Sequence, residues 1–394
     1  MNPGLTSGVV PNMTTHVRTT YPSPRPSARG SSAGLALPTS GWSGRQPHLF
    51  DAYLTAPAAT AAGLLAVANV ALTRYDGQPR SDGDDPGPLV TAGDDRLRFE
   101  SFSGCAGVYA RLDVLPSALD GEITADGTAS IAVSPSLRLA LTAVRGHRPL
   151  HLTVGPDAAA GTIPVPAGVS TPRAESVAPA ERERTVPLPQ PWLRGFAQIP
   201  LISPRFGLRA ELGWAQLISL LGRSAYLERL SDRPAFSPVW LVPADGTLRP
   251  ASGPVPGGIC LPGASRLDIL RPFLRHATGL RVYGPPVTAS SAPVPSIWEL
   301  VTAEQRLSLT LSPDRGHGFS GECALPAGFP ADLLASAGRL GYDVAEARYY
   351  HRHLPCPLTA LDQRSLRQAD SRNRVLLGGA DPGSERQPPN APAA

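Results

Sequence analysis

The run LRFESFSGCAGVYARLDV, residues 97–114, carries the pattern that decides the fold class. Leu97 and Phe99 alternate with Arg98 and Glu100, and Val108, Ala110, Leu112 and Val114 alternate with Tyr109, Arg111 and Asp113. An apolar period of two is that of a strand, and the glycines of Ser103-Gly104-Cys105-Ala106-Gly107 supply a turn between two of them. The expectation is an antiparallel pair with one apolar face and one solvated face.

Toward the N-terminus, Pro57 suits the first turn of a helix, and Leu64, Leu65, Ala68 and Leu72 share one of its faces. The acidic, Gly/Pro-rich residues 76–95 read as a surface loop, because Asp82, Asp84 and Asp85 resist joint desolvation. They lack the spacing and terminal Glu of a calcium loop. Toward the C-terminus, Ser134 and Pro135 open a second helix with Leu137, Leu141 and Val144 on one face, and Leu150, Leu152 and Val154 return to strand alternation.

Residues 156–185 are rich in Ala, Pro and Gly and read as a linker. Beyond it come a helix at 192–197, a strand with Phe206, Leu208 and Ala210 inward, a helix at 214–221, and strands at 239–242 and 258–261. Residues 264–276 are helical by pattern, with Pro272 kinking the helix or starting a new turn. Alternation around Leu280, Ile297 and Leu307 adds further strands. The fold class expected is α+β: two antiparallel-sheet lobes with packed helices, and disordered N- and C-terminal tails. The boundaries are a disordered arm at 1–45, a first lobe at 46–155, the linker, a second lobe at 186–325, a shortened winged-helix-like hairpin and basic segment at 326–377, and a tail at 378–394.

Composition narrows the chemistry. Pro 45 and Gly 39 make loops abundant in these 394 residues, and the 36 basic residues contain no lysine. That excludes a Schiff base, a catalytic lysine and a P-loop lysine. A net charge of +4 allows a local basic surface without demanding nucleic acid. Cys105, Cys260, Cys323 and Cys356 are too far apart for a local ligand pair, and too few for an oxidised secreted scaffold. No signal-peptide pattern opens the chain, and the most apolar segment, 57–72, is too short and Ala-rich to span a bilayer. Cytoplasmic location is expected, with no membrane partner, cofactor or metal.

Three groups of residues invite a functional reading. Cys105 lies in a Gly-flanked turn, but its string differs from the G-x-S-x-G elbow and leads into a strand, which favours a packed small residue. His351 and His353, on one face of a strand, come nearest to a metal pair with Cys356, yet a fourth ligand is missing. Arg339, Arg348, Arg352, Arg364, Arg367, Arg372 and Arg374 form the densest cationic stretch, interleaved with Tyr342, Tyr349 and Tyr350. Arg339, Arg348, Arg352, Arg364, Arg367, Tyr349 and Tyr350 are the candidate nucleic-acid contacts, as a basic wing with aromatic platforms.

The strings FESFSGCAGVYARLD (99–113), LRVYGPPVT (280–288), GFSGE (318–322), GYDV (341–344) and YHR (350–352) resemble the body of bacterial SWIM zinc-finger family proteins, over residues 47–354. The resemblance implies a C-terminal C-x-C and C-x-H zinc site, but no Cys or His follows Cys356, so no residue here inherits that role. It also implies a winged-helix-like unit, shortened here to the helical pattern at 330–337. Where the family is rich in Asn and Asp, this chain has Ala129, Ser130, Ala132 and Ser134. The function expected is a non-enzymatic binding or scaffold protein with protein or nucleic acid as partner. The alternatives are an enzyme using Cys105 or another buried polar site, and a degenerate inactive family fragment.

Overall fold

The computed structural model of this chain describes residues 34–40, 48–77, 87–146, 148–156, 188–222, 237–314, 319 and 338–354. Almost all of the expected linker, the C-terminal tail and the basic segment with Arg364 and Arg367 lie outside these residues. Helices and mostly antiparallel strands combine in an α+β architecture.

The pair read from residues 97–114 is present as β4 (Arg96–Phe102) and β5 (Val108–Val114), with Phe99 opposite Leu112 and Glu100 opposite Arg111. Among the described residues these strands sit in the middle of one sheet of twelve. On one side of β4 follow β3 (Leu89–Gly93), β7 (Gly127–Ile131), β1 (Gly34–Ser40), β8 (Leu150–Gly155), β2 (Phe50–Leu54) and β6 (Leu119–Asp120). Beyond β5 come β15 (Gln305–Leu311), β14 (Ser296–Val301), β13 (Gly279–Gly284) and, last, β9 (Gly207–Gly213). The strands assigned to two lobes thus share one sheet, joined by the ladder from Val108–Leu311 to Val114–Gln305. A smaller sheet is built from β10 (Pro238–Ala244), β11 (Thr247–Ala251) and β12 (Ile259–Pro262).

Two segments differ from the sequence reading. Gly34–Ser40, placed in the disordered arm, is β1, parallel to β8 with Leu35 and Leu37 buried. Leu89–Gly93, placed in the acidic loop, is β3, because Leu89, Val90 and Ala92 bury apolar surface while Asp94 and Asp95 stay exposed in the turn after it.

The apolar face of the sheet carries the main core. α1 (Pro57–Leu72) lies across β4 and β5, and its neighbours include α2 (Pro135–Ala143). A single buried face was expected for α1, but nearly the whole helix is enclosed, which its run of small residues permits. Gly63 shows why: a Cβ there would meet Leu112 Cδ1 at 2.7 Å. α2 starts as expected, with Ser134 Oγ accepting from the Leu137 N–H at 3.2 Å. Pro272 likewise starts a new turn, dividing the 3-10 segment Ala264–Leu270 from the short helix Arg271–Leu274.

Candidate functional site

The second face of the sheet departs from the expectation of solvation. Every residue of β4, β5 and β15 is buried, including Arg96, Arg98, Glu100, Arg111, Asp113 and Arg306. Two elements contribute to the cover. One is α3 (Gln190–Ile202), whose Trp192 and Phe196 pack with Phe102 and Tyr109. The other is the hairpin of β16 (Leu340–Asp343) and β17 (Arg348–His351), which brings Asp343, Glu346, Tyr350 and Arg352 onto the charged strands. Charges survive here because each meets an opposite charge; an isolated ion in that layer would cost several kcal/mol.

At one end, Arg352 grips Glu100 with two nitrogens, Nη2 to Oε1 at 2.7 Å and Nε to Oε2 at 2.9 Å. Tyr350 donates to the same carboxylate at 2.7 Å, and the Tyr109 hydroxyl donates to it as well. Arg352 Nη1 also donates to the carbonyls of Gly338 and Leu340, tying both approaches of the hairpin together. Its guanidinium lies 4.6 Å from the Phe196 ring centre, and that of Arg98 lies 4.0 Å from the Tyr350 ring centre. Gly341 faces Tyr350 across the ladder, and a Cβ there would collide with the tyrosine ring.

At the other end Asp343 receives Arg306 at 2.7 Å and Arg111 at 3.4 Å, and its Oδ1 accepts from the N–H of Ala345 and Glu346 in the hairpin turn. Asp113 meets Arg111 at 2.9 Å and Arg98 at 3.2 Å, while Glu346 meets Arg96 at 2.6 Å and Arg306 at 2.9 Å. Burial alone would raise the Glu100 carboxyl, but Arg352 and the two tyrosine donors hold it down at about 2. Asp343 is likewise held below the carboxylate range, with Arg111 and Arg306 outweighing burial. Burial raises the Tyr109 and Tyr350 hydroxyls and keeps them protonated as donors.

Glu299, on β14 across from Ser308, is the exception. Among the described residues neither of its buried oxygens has a hydrogen-bond partner, and burial pushes the carboxyl up to about 7 against the pull of Arg306 and Arg111. Between the ordinary value of 4.5 and about 7 the folded chain holds a proton that the unfolded chain has released. Stability from this group therefore falls as pH rises through that window. Glu299→Gln is expected to flatten this slope and to add about 3 kcal/mol above the window. Urea midpoints of both proteins at about pH 5 and about pH 8 check it, and an unchanged slope in the variant would contradict it.

The candidate wing residues divide. Arg352 and Tyr350 point into the interior and are committed to Glu100, so neither side chain presents itself to an external ligand. Arg339, Arg348 and Tyr349 are exposed, Tyr349 to 54%, with Tyr342 edge-on to it at 5.0 Å. Period two sets Tyr349 and His351 opposite to Tyr350, whereas Arg348 shares the parity of Tyr350 and is exposed at the turn end of β17. The sequence reading counted all the arginines alike. The match of Tyr350 and Arg352 with Glu100 of β4 and Tyr109 of β5 gave no local signal, since only the tertiary fold brings these residues together.

His351 and His353 are both exposed, and Cys356 lies outside the described residues; among the described residues no group of three or more His, Cys, Asp or Glu is placed to hold a metal. Cys105 is 4% exposed in the turn between β4 and β5, with Sγ 3.3 Å from Ser103 Oγ, while that oxygen accepts from the Val108 N–H. Ala106 turns the chain with φ +52°. Among the described residues no helix is long and apolar enough to cross a membrane.

No family model matches this chain, and no curated protein matches it. Among solved structures it is similar to the proliferating cellular nuclear antigen of Entamoeba histolytica, with a TM-score of 0.36 and 10% identity over 68% of this chain and 100% of that one. It is also similar to a chain of the PCNA2–PCNA3 complex of Sulfolobus tokodaii, with a TM-score of 0.36 and 6% identity over 66% and 98%. At these scores the likeness carries no argument.

Proposed function

We propose that this chain is a non-enzymatic binding or scaffold protein, related to SWIM zinc-finger family proteins, whose β16–β17 hairpin contacts nucleic acid. One observation carries the reading: the hairpin is clamped from within by the buried ion pairs of Asp343 and Arg352, while side chains exposed at its ends and on its outer face offer cations and an aromatic ring. Arg339, Arg348 and Tyr349 are exposed on this firmly held element. Arg348 pairs with Glu346 at 2.6 Å, but such a half-exposed pair is worth little and yields readily to a phosphate. A rigid platform loses little conformational entropy on binding, and Tyr349 supplies a face on which a base stacks. Of the strings on which the family kinship rests, four fall on β4, β5, β13 and this hairpin, and GFSGE (318–322) lies outside the described residues but for Phe319.

The test is fluorescence anisotropy with single-stranded and duplex oligonucleotides across a salt series. Binding should weaken linearly on a log–log plot, and Arg339→Glu with Arg348→Glu should lower the single-strand slope by about 1.4, two phosphates' worth. Tyr349→Ala should weaken single-strand binding by about tenfold while leaving the slope alone. Salt-insensitive binding, or none, removes nucleic acid as the partner.

A further inference from the structure

We propose that two copies of this chain pair through β9, edge to edge and antiparallel about Ala210. β9 ends the large sheet, and among the described residues it pairs on one side alone, with β13. An open edge is a template for another strand, and proteins commonly blunt it with proline, with charge that repels a second copy, with a bulge or with a covering element. β9 has no proline, and its charges are of both signs: Gly207-Leu208-Arg209-Ala210-Glu211-Leu212-Gly213.

That string reads the same from either end, except that Arg209 and Glu211 exchange sign. Antiparallel pairing centred on Ala210 sets Arg209 of each copy opposite Glu211 of the other, so a two-fold axis forms the pair twice. Other registers are penalised. Centring on Arg209 or on Glu211 sets like charge against like, and parallel in-register pairing does so at both positions.

The local geometry agrees. The register of β9 shifts between Val282 and Tyr283 of β13, leaving Arg209 without a ladder partner on that side. Arg209 Nε donates to the Gly284 carbonyl, anchoring the side chain. Glu211 is held by Arg281 of β13 at 2.8 Å, so the second copy's Arg209 would complete a row of alternating charge. A groove of about 240 Å³ borders Ala210, Glu211 and Leu212, with Pro243–Thr247 on its other wall.

Two exposed apolar side chains flank the edge, Leu208 at 52% and Trp214 at 57%. Across the two-fold, Trp214 of one copy falls two residues beyond Leu208 of the other, about 7 Å along the ladder and within reach of an indole. Pairing therefore covers both.

Sedimentation equilibrium of the full chain over a concentration series tests the proposal. The wild-type chain should dimerise, and Arg209→Glu or Glu211→Arg alone should weaken the dimer about tenfold or more. The double reversal should restore it. Ala210→Cys adds a readout that does not depend on disruption, since directly opposed residues of an antiparallel pair fall within disulfide reach. Mild oxidation should link the two copies through position 210, as identified by peptide mass. A wild-type chain that stays monomeric at its highest attainable concentration overturns the proposal. So does a double reversal no better than the single ones, or a failure of position 210 to cross-link.

Discussion

Glu100→Ala is expected to lower the stability of this protein by about 3–5 kcal/mol, because it strands the buried Arg352 guanidinium without its counter-charge. Both partners are buried, and the lost carboxylate also leaves the Tyr109 and Tyr350 hydroxyls without their acceptor. Replacing both members by apolar residues, Glu100→Leu with Arg352→Met, should recover much of the loss, since a removed pair leaves no unmatched charge. Urea unfolding of the two variants and the wild type measures this. A single variant costing under about 1 kcal/mol would mean that water reaches the pair. The wild-type pair also has an acid limb: Glu100 is held at about 2 against an ordinary 4.5, so its contribution is whole above 4.5 and is lost as pH falls toward 2.

Phe102→Ala is expected to cost about 3–5 kcal/mol, the usual loss for emptying a buried aromatic site. Phe102 is fully buried at the end of β4, with ring centres of Tyr109 and Phe196 at 4.9 Å and of Trp192 and Phe319 at 6.1 Å. It therefore fastens α3 to the sheet, and α3 supplies the Phe196 ring against which Arg352 lies. The losses from Phe102→Ala and Glu100→Ala should combine non-additively, because both loosen the same cover. Urea unfolding of the two single variants and the double variant checks this, and simple additivity would show that α3 and the hairpin are held independently.

Local pattern was enough for most elements. β4 and β5, the Ser134 cap, the restart at Pro272 and the strands around Leu280, Ile297 and Leu307 are all present where alternation and capping chemistry placed them. β9 shows where such reading stops. Alternation set Phe206, Leu208 and Ala210 inward together, but the bulge turns Leu208 outward and leaves Ala210 and Leu212 facing the core. A bulge arises from pairing with another strand, and nothing within residues 206–213 announces it.

What the chain alone determined is the class of structure: a two-residue period over Leu97–Val114 makes a sheet with one apolar face, and the lack of lysine closes off several chemistries. What only the tertiary structure decided is the fate of the other face. A row of Arg, Asp and Glu on alternate positions reads as solvated, because charge is stable in water and costly elsewhere. Here the opposite charges come from strands up to 252 residues apart, as Arg352 and Glu100 do, and their mutual neutralisation lets a hairpin close over them. Pairing at that separation is a property of the fold and leaves no trace in any local stretch of sequence.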